Sequence, residues 1–505
     1  MSATKSDNRI NTDSQTLTGE IYDVVIVGAG PIGLATAIGL RKCGIENILV
    51  VDQTRAFRKV GQVLDILPNG LKSLKYLDNQ AYEAVKNTGM GFMNSPQSNG
   101  EKTQGEKPAK TSPEWVYKNL QGETIRSTPL GFDHWFQQYG EGRVSIAWYN
   151  LQTTLRNLIP EDRVKANHRC INVIDEPEKG CVRIDCISDL RTEANPYAYW
   201  ADGQKVDNNE PQNLDPTSQQ LGSKSFRAKL IVAADGINST IRKVLYKDTP
   251  DSDFAQPKYS GFAAISCREI TEIPQELQTQ IEEKFFQDSP IVTISNASEI
   301  TDSLNELRMM LFRRPGSHIG YILHLAVSLE SLEDKSESSL LDLAMQQLEK
   351  AGYPDVLQEL VRLSPPANMQ QRPYYIHHAS TSDGESQPTW SRGRVVLVGD
   401  AAHGMPPFMA QGVNQGFEDA LAVTTLIAHI AETNKWDNGE AMGYAPPEAI
   451  ATAFEKYENL RRPMMKYIQH ATLTRFPHSS DEAWNNYGQQ VYQRNFDEII
   501  AALSS

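Results

Sequence analysis

A chain of 505 residues can bury a large core and is long enough to form two or three domains. Its apolar fraction of 39%, charged fraction of 22% and formal net charge of −14 indicate a globular protein and argue against a membrane or nucleic-acid surface as the main partner. The sequence has no run of about 18 apolar residues, so it predicts no membrane-spanning helix.

The first twenty residues and the cysteines indicate the compartment. MSATKSDNRINTDSQTLTGE lacks the apolar core that a signal peptide needs. The five cysteines are an odd number and none forms a CxxC pair. They favour reduced, mostly buried thiols and predict neither a disulfide framework nor a metal site. We therefore expect a cytoplasmic protein.

The first predicted strand, YDVVIV from Tyr22, runs into GAGPIGLATAIGLRKCG, a helical pattern that opens with GxGxxG. Gly28 permits a tight turn, Gly30 lets the backbone approach a pyrophosphate, and Gly33 lets helix and strand pack closely. The positive end of the helix dipole favours phosphate groups. The motif predicts a dinucleotide site made by Gly28, Ala29, Gly30, Pro31, Ile32 and Gly33.

The next predicted strand, ENILVV, ends at Asp52, 19 residues after Gly33. A carboxylate at this spacing accepts hydrogen bonds from ribose hydroxyls. Glycine turns before helices are common, but the strand, the helix and the terminal aspartate together favour a nucleotide site. This junction alone does not distinguish FAD from NAD.

Two further strand–helix junctions follow much later in the chain. KLIVAAD ends at Asp235 and precedes GINSTIRKVL, while RVVLVGD ends at Asp400 and precedes AAHGMPPFMAQGVNQGF. Asn238 and Ser239 are candidate N-caps, and a plain interpretation makes Asp235 and Arg242 a helix-start residue and a solvated residue. Between the junctions, YSGFAAISCREI and HIGYILHLAVSL predict antiparallel strands covered on one face.

The fold class that follows is α/β. We predict a Rossmann-like, doubly wound nucleotide domain assembled from residues 18–80, 140–248 and 390–475. A substrate domain with a mixed or antiparallel sheet, residues 81–139 and 249–389, is inserted in it, and residues 476–505 form a C-terminal segment. Two polar stretches, 94–114 and 202–225, predict surface loops, and we expect residues 186–225 to be an insertion. Decoration without function is the favoured interpretation of both loops, and a mobile loop near an active site is the alternative.

Several motifs in order carry a family resemblance. GDAAH from Gly399, continued by GMPPFMAQGVN, resembles the second flavin motif of the para-hydroxybenzoate hydroxylase-like (group A) flavoprotein monooxygenases. ADG ending at Gly236 resembles the DG motif of that family, FEKYENLRRP ending at Pro463 is similar to the helix after its flavin motif, and GQVLDILPNGLKSL from Gly61 is similar to its segment after the second strand. The matches span most of residues 22–472.

The resemblance implies that FAD is bound at these junctions. Asp400 ends a strand and can reach a ribityl hydroxyl, and Pro406 and Pro407 stiffen the approach to the next helix. The start of that helix favours the negative charge of reduced flavin. His403 lies in a tight turn, where a structural role is favoured over acid–base catalysis. Besides the GxGxxG segment, the implied cofactor-binding residues are Asp52, Gln62, Trp148, Asp235, Asp400, Pro407, Gly412, Val413 and Asn414.

The sequence departs from the family pattern at two places. Trp148 stands where relatives usually carry an arginine three residues before Leu-Gln, although Leu151 and Gln152 keep that pattern. Met409 and Ala410 occupy positions that are more often glycine. A tryptophan there could stack near the flavin or shape its access, or it could alter cofactor mobility, substrate choice or activity.

The family's chemistry, carried over, is a monooxygenation. NAD(P)H reduces FAD, oxygen adds at flavin C4a to give a hydroperoxide, and its distal oxygen hydroxylates or epoxidises a small aromatic or polycyclic substrate. The chain has one Rossmann fingerprint, so NAD(P)H is expected to bind transiently as a co-substrate. We expect no nucleic-acid partner and either a monomer or a homodimer.

The catalytic acid or base is not assigned from the sequence. Substrate activation usually needs a proton acceptor, and packing or exposure is the favoured role of each candidate: Tyr259, His324, Tyr374, Tyr375, His377 and His378. We expect an apolar pocket between the flavin and the second sheet. Two alternatives remain open, namely an FAD-dependent reductase or dehydrogenase of the same fold and a catalytically silent flavin-binding protein. The reductase would not consume oxygen, and the silent protein would bind FAD without accelerating NAD(P)H oxidation.

Overall fold

The computed structural model describes residues 21–54, 63–93, 113–189, 221–296, 307–333, 335–381, 386–436, 445–474 and 480–504. The strands in these ranges are β1 (Ile21–Val27), β2 (Ile48–Val51), β3 (Val63–Ile66), β4 (Glu114–Lys118), β5 (Thr124–Pro129), β6 (Val144–Ala147), β7 (Val164–Lys165), β8 (Arg169–Glu176), β9 (Cys181–Asp189), β10 (Leu221–Ala233), β11 (Lys258–Ile270), β12 (Ile291–Ser295), β13 (Arg308–Arg314), β14 (His318–Ala326), β15 (Met369–Ile376), β16 (Ser391–Arg392) and β17 (Val395–Leu397). The α-helices are α1 (Pro31–Lys42), α2 (Pro68–Leu77), α3 (Asn79–Met93), α4 (Phe132–Tyr139), α5 (Trp148–Arg156), α6 (Thr240–Tyr246), α7 (Gln275–Ile281), α8 (Glu337–Lys350), α9 (Asp355–Arg362), α10 (Asp400–His403), α11 (Gly412–Thr433), α12 (Pro447–Leu473), α13 (Asp481–Tyr492) and α14 (Phe496–Ser504).

The first sheet brings the three predicted junctions together. Its order is β16-β17-β10-β1-β2-β7, and β17, β10, β1, β2 and β7 run parallel. Val24, Val25 and Ile26 are each 0% exposed, so successive side chains are buried on both faces of β1. Burial on both faces is why these strands read as uninterrupted apolar runs. The predicted α/β fold, with its nucleotide domain split in sequence, is confirmed.

The same sheet extends on its antiparallel side through β9 and β8. Leu221 at the start of β10 pairs with Asp189 at the end of β9, and Lys224 pairs with Cys186, so the two ends of the predicted insertion, 186–225, lie side by side on these strands. The stretch 221–225, which the sequence analysis placed in a loop, belongs to β10 because it pairs along β9. Residues 190–220, like 94–112 of the other polar stretch, lie outside the described residues.

The second sheet has the order β15-β11-β14-β13-β12-β4-β5 and is antiparallel except between β12 and β4. The predicted strands YSGFAAISCREI and HIGYILHLAVSL are found as β11 and β14, paired side by side. One face of the sheet packs on α8 and α9 through a buried cluster that includes Ile265, Leu323, Leu340 and Leu360. The opposite face is therefore available to the nucleotide domain. A short third sheet pairs β3 with β6.

Two further features concern the state of the cysteines and the character of the helices. Cys43 is exposed, the other four cysteines are buried, and all five are free thiols. Over the described ranges, the structure contains no helix with the length and apolar character needed to cross a membrane.

Candidate functional site

The GxGxxG loop connects the end of β1 to α1 at the carboxyl edge of the parallel sheet. A Cβ on Gly33 would lie 2.0 Å from the Gly28 carbonyl oxygen, so helix and loop can meet this closely only with glycine at position 33. Gly28 has a φ of +108°. A Cβ on Gly30, by contrast, would meet nothing within 4 Å. Space is therefore left above Gly30, where a pyrophosphate would approach the helix N-terminus.

Asp52 follows β2 and contacts the glycine loop directly. One carboxylate oxygen accepts a hydrogen bond from the Ala29 N–H at 2.6 Å, and the other accepts from the Thr54 N–H at 2.7 Å. Each carboxylate oxygen can accept a second hydrogen bond. Asp52 is thus fixed beside the loop and keeps acceptor capacity for a ribose hydroxyl.

Gln152 on α5 completes this side of the loop. Its Nε2 donates to the Ala29 carbonyl oxygen at 2.6 Å, while its Oε1 is buried without a hydrogen-bond partner among the described residues. Trp148 begins the same helix, one turn earlier, and is half-buried. A buried acceptor next to the dinucleotide loop is consistent with a ligand that donates to it. No signal in the sequence beyond the Leu-Gln pair indicated this contact.

The DG motif forms a capped turn that adjoins the glycine loop. A Cβ on Gly28 would lie 2.4 Å from the Ala234 carbonyl oxygen, which shows how closely the two turns meet. The carboxylate of Asp235 accepts hydrogen bonds from the Ser239 hydroxyl at 2.6 Å and the Thr240 N–H at 2.7 Å. Ser239 itself caps α6 by accepting from the Arg242 N–H, which confirms it as an N-cap. Asp235 therefore orders this turn through local hydrogen bonds.

Arg242 is not solvated, contrary to the plain interpretation of the sequence. It is 1% exposed, and its Nη1 donates to the carbonyl oxygens of Ala401 and Ala402 at 3.0 and 2.9 Å. Its Nε donates to the Phe254 carbonyl oxygen at 2.6 Å. Burial lowers the pKa of Arg242 to about 10. The arginine links the DG motif to the turn of the second flavin motif, a long-range contact that residue type alone does not indicate.

The second flavin motif turns sharply after β17. Gly399 has a φ of +58°, and its N–H donates to Asp419 Oδ2 at 2.8 Å. Asp400 is the first residue of α10, and its side chain is accessible to solvent. The surrounding protein nevertheless desolvates the carboxyl group and raises its pKa, while His403 and Arg372 oppose that rise. The Asp400 carboxylate is thus available to a ligand at the sheet edge.

His403 has the structural role that was favoured for it. It is 1% exposed, and its Nε2 lies 2.6 Å from Asp419 Oδ2. Burial alone would raise the pKa of Asp419, but His403 and Arg461 lower it to about 2. Because the same carboxylate holds the Gly399 N–H, the pair fixes the turn that presents Asp400.

The start of α11 is tied to the segment after β3. Asn414 Oδ1 accepts from the Leu67 N–H at 2.9 Å, and its Nδ2 donates to the carbonyl oxygens of Asp65 and Ala410 at 2.9 and 2.7 Å. Gly412 begins the helix, and a Cβ there would lie 3.7 Å from Asp400 Oδ1. Val413 is half-buried, and Gln62 lies outside the described residues.

The two residues that depart from the family's glycines have different environments. Met409 is 7% exposed and packs in a cluster with Trp135, Tyr487 and Tyr492, so it joins the flavin motif to the C-terminal helix α13. Ala410 adopts a left-handed conformation with a φ of +52°. A non-glycine residue there costs about 1 kcal/mol, which is why glycine suits this position.

A small cavity lies between the flavin motif and the second sheet, where a pocket was expected. Its walls come from the sheet (β11, β13 and β14), from the turn at Pro407 and from the end of α12, and the described lining residues are Phe262, Arg308, His324, Phe408, Thr472, Leu473 and Thr474. His324 Nδ1 lies 3.2 Å from the Tyr374 hydroxyl. Burial, and next Arg308, lowers the pKa of His324 to about 3, so the imidazole is neutral.

The residues predicted from the sequence to bind the cofactor therefore converge on one edge of the sheet. Contacts at Ala29, Ala234 and Gly399 join the three junctions. The space above Gly30, the buried Oε1 of Gln152 and the accessible carboxylate of Asp400 fit a dinucleotide such as FAD. The cofactor-binding role of each of these residues remains a prediction: Gly28, Ala29, Gly30, Pro31, Ile32, Gly33, Asp52, Trp148, Asp235, Asp400, Pro407, Gly412, Val413 and Asn414.

A buried histidine next to the second flavin motif is expected to make the free energy of unfolding depend on pH. His377 is 2% exposed, its Nε2 lies 2.8 Å from the Ile237 carbonyl oxygen, and burial, then repulsion by Arg242, lowers its pKa to about 3. In the unfolded chain this histidine is protonated below about pH 6.5. The contribution of the neutral, folded His377 to the free energy of unfolding is therefore complete above that pH and is lost as the pH falls toward 3. Between pH 7 and pH 5 we expect the free energy of unfolding to fall by about 2 kcal/mol at this site.

Urea denaturation at both pH values tests this expectation. His377→Gln keeps an amide that can donate to Ile237 and does not titrate, so its stability should fall less than that of the parent protein over the same interval. An equal loss in the two proteins would show that His377 is not the titrating group.

Comparison with known proteins agrees with the geometry. The family described as FAD binding domain matches residues 21–124 and 344–437. The chain is 25% identical to 3-amino-4-hydroxybenzoate 2-monooxygenase of Streptomyces cremeus, over 87% of this chain and 83% of that protein. It is 22% identical to 6-hydroxynicotinate 3-monooxygenase of Bordetella bronchiseptica, over 91% of each.

Solved structures share the fold at lower identity. A salicylate hydroxylase substrate complex has a TM-score of 0.61 with 15% identity, over 96% of this chain and 98% of that one. HpxO of Klebsiella pneumoniae, in complex with FAD and uric acid, has a TM-score of 0.56 with 17% identity, over 96% of each chain.

Proposed function

Because this chain is a group A flavoprotein monooxygenase, an FAD-dependent oxidoreductase, we propose that it uses NAD(P)H and O2 to insert one oxygen atom into a small aromatic or polycyclic substrate. The observation that carries the proposal is the cavity between the flavin motif and the second sheet. FAD, once reduced, supplies the activation of oxygen. The related enzymes named for hydroxybenzoate and hydroxynicotinate support an aromatic substrate.

The chain's part in this reaction is to hold FAD and to shape the reaction space. We propose that the loop Gly28–Gly33 binds the pyrophosphate, Asp52 a ribose, and Asp400 the ribityl chain. The start of α11, from Gly412, would then face the pyrimidine edge of the flavin and stabilise negative charge there. Support comes from the shared sheet edge on which these groups lie.

We assign the exclusion of water and the orientation of the substrate hydroxyl to the cavity walls. Phe262 and Phe408 lie edge to face at 5.4 Å between ring centroids and leave little room for solvent. His324 is neutral and hydrogen-bonded to Tyr374, and its pKa of about 3 makes it a weak base, so we propose that it orients a hydroxyl on the substrate ring by hydrogen bonding and does not remove the proton. NAD(P)H is proposed to bind transiently, since one dinucleotide fingerprint is present.

The test is a spectrum followed by turnover. Purified protein loaded with FAD should show flavin absorption, and its NADH or NADPH oxidation should rise with one member of a panel of hydroxylated aromatics. Oxygen uptake should accompany this rise, and 18O2 should label a product heavier by one oxygen atom. NAD(P)H oxidation that reduces a ligand without oxygen uptake would contradict the monooxygenase, and so would FAD binding with no NAD(P)H oxidation under any condition.

A further inference from the structure

Two buried cysteines face each other across the hairpin of β8 and β9. Cys170 pairs directly with Cys186 in the antiparallel register, and both side chains belong to the buried core that includes the parallel sheet. Directly paired residues on antiparallel strands point to the same face and have Cα atoms about 4.5–5.5 Å apart. Disulfides span Cα separations of about 4.4–6.8 Å, so the backbone holds the two thiols at a spacing that a disulfide fits.

The two thiol groups also interact in the reduced protein. A hydrogen bond with Cys186 and, next, burial raise the pKa of the Cys170 thiol well above its usual range. The Cys170 thiol donates in addition to the carbonyl oxygen of Asn172 at 3.4 Å. Because the sulfur atoms are already neighbours on one face, a bond between them requires neither strand to slip or turn over.

Cys170 is the more accessible member of the pair. Among the described strands β8 pairs with β9 alone, so it forms an edge of the sheet. The register shifts between Cys170 and Asn172, which leaves Ile171 as the extra residue of a bulge, and this side chain is 44% exposed. Edge strands and irregular pairing open locally more easily than the centre of a sheet. A small oxidant from solvent therefore reaches Cys170 first.

The pair lies close to the DG turn. α6, which follows that turn, packs on β8, and the Asp235 carboxylate is near enough to Cys170 to add to the rise in its pKa. Asp235 in turn accepts hydrogen bonds from the N–H groups of Thr240 and Ile241 at the start of α6. A bond that fixes β8 to β9 therefore acts on the support of this turn.

We propose that Cys170 and Cys186 are a site of reversible disulfide formation, with hydrogen peroxide as the oxidant, and that the disulfide steadies the DG turn. The thiolate of Cys170 attacks one peroxide oxygen, the O–O bond breaks, and a sulfenic acid and one water molecule form. Cys186 Sγ then attacks the sulfenic sulfur, so the S–S bond forms, the S–O bond breaks and a second water molecule leaves. The two thiols give up two electrons and two protons, which the peroxide takes up.

Peptide mapping tests the site. FAD-loaded Cys43→Ser protein, which lacks the exposed thiol that would join two chains, is kept with millimolar hydrogen peroxide at pH 8 and then digested with trypsin. The three cysteines of the hairpin fall on separate tryptic peptides, residues 170–179, 180–183 and 184–191. We expect the first and third peptides to be cross-linked in most chains within hours, and dithiothreitol to restore both thiols.

The pH dependence of cross-linking follows from the attacking species. The thiolate reacts, and its population below the thiol pKa falls about tenfold for each pH unit, so the initial rate should be about a hundredfold lower at pH 6 than at pH 8. Hydrogen exchange measures the effect on the DG turn. Exchange of the backbone amides of residues 240–246 should be about tenfold slower in the oxidised protein than in the reduced protein.

Two variants in the same Cys43→Ser background provide the controls. Cys181→Ser is the matched control, because Cys181 is buried in the same hairpin but pairs with Glu176, and it should leave the cross-link unchanged. Cys186→Ser should abolish both the cross-link and the slowing of exchange under peroxide. If Cys186→Ser does not fold, the peptide map of the starting protein still decides, since the cross-linked species identifies both partners.

Three results would overturn the site: no cross-link after a day in peroxide, a cross-link through Cys181, or sulfinic acid at Cys170 as the main product. Equal exchange of residues 240–246 in the oxidised and reduced proteins would overturn the effect on the DG turn. Neither thiol lines the cavity assigned to the substrate, so these results are independent of the proposed function.

Discussion

Arg461→Met is expected to destabilise the fold by about 3–5 kcal/mol and to weaken FAD binding. Arg461 is 1% exposed, and its Nε and Nη1 donate to Asp419 at 2.8 Å and to Glu418 at 2.6 Å. Its Nη2 also donates to Gln415 Oε1 at 2.6 Å. Methionine fills much of the volume of the arginine side chain, but it leaves the carboxylates of Asp419 and Glu418 in the interior with less positive charge beside them. A buried charge without a compensating partner costs several kcal/mol, on the order of the loss expected here.

The loss should reach the flavin motif through Asp419. This carboxylate holds the Gly399 N–H, so a weaker hold on Asp419 loosens the turn that presents Asp400. Glu418 keeps a second cation, Arg494 of the C-terminal segment, which limits the damage on that side. We therefore expect the pKa of Asp419 to rise in the variant and its unfolding midpoint to become more sensitive to acid.

Urea denaturation at pH 7 and pH 4, with an FAD titration of the apoprotein, measures both effects. Lys466→Met lies on the exposed side of the same helix and should change neither quantity. The double variant Arg461→Met/Asp419→Asn should lose less than the sum of the single changes, since the two groups interact directly. A stability change below about 1 kcal/mol in Arg461→Met would show that the network is not a major source of stability.

The elements of the site could be predicted because their signals are local. A strand of valines and isoleucines, glycines at positions 28, 30 and 33, and the aspartate ending the second strand are read within about thirty residues. The third junction was located in the same way, from RVVLVGD and the helix after it. An α/β fold class implies that the strands before these junctions pair in parallel in one sheet.

The contacts that hold the junctions together could not be predicted. Arg242 lies 159 residues from Ala401, and Gln152 lies 123 residues from Ala29, so neither partner is visible in local spacing. The sequence offered Arg242 as a surface residue because isolated arginines usually are.

Departures from a family pattern were visible in the sequence, but their physical reasons were not. Met409 fills a cluster with aromatic residues of the C-terminal helix α13, which explains a large side chain where glycine is usual. Ala410 keeps the left-handed backbone of a glycine position. Trp148 begins the helix that carries Gln152, and whether it replaces the missing arginine at the flavin remains a prediction.

Gly30→Val is expected to yield a protein that folds as the parent apoprotein does but fails to retain FAD. Gly30 has a φ of −70° and a ψ of 173°, a backbone conformation that valine also adopts. A Cβ at this position meets nothing within 4 Å, so the side chain causes no clash in the free protein. It occupies the space over the helix N-terminus in which we place the pyrophosphate.

The expected result is a loss of FAD affinity on the order of a hundredfold or more, measured by quenching of flavin fluorescence, with an unchanged unfolding midpoint of the apoprotein. Gly91→Val, at another glycine whose Cβ would meet nothing within 4 Å, is the matched control and should bind FAD normally. Gly33→Ala should differ from both, because its Cβ would lie 2.0 Å from the Gly28 carbonyl oxygen and would disturb the loop even without cofactor. Normal FAD affinity in Gly30→Val would exclude the pyrophosphate from the space over the N-terminus of α1.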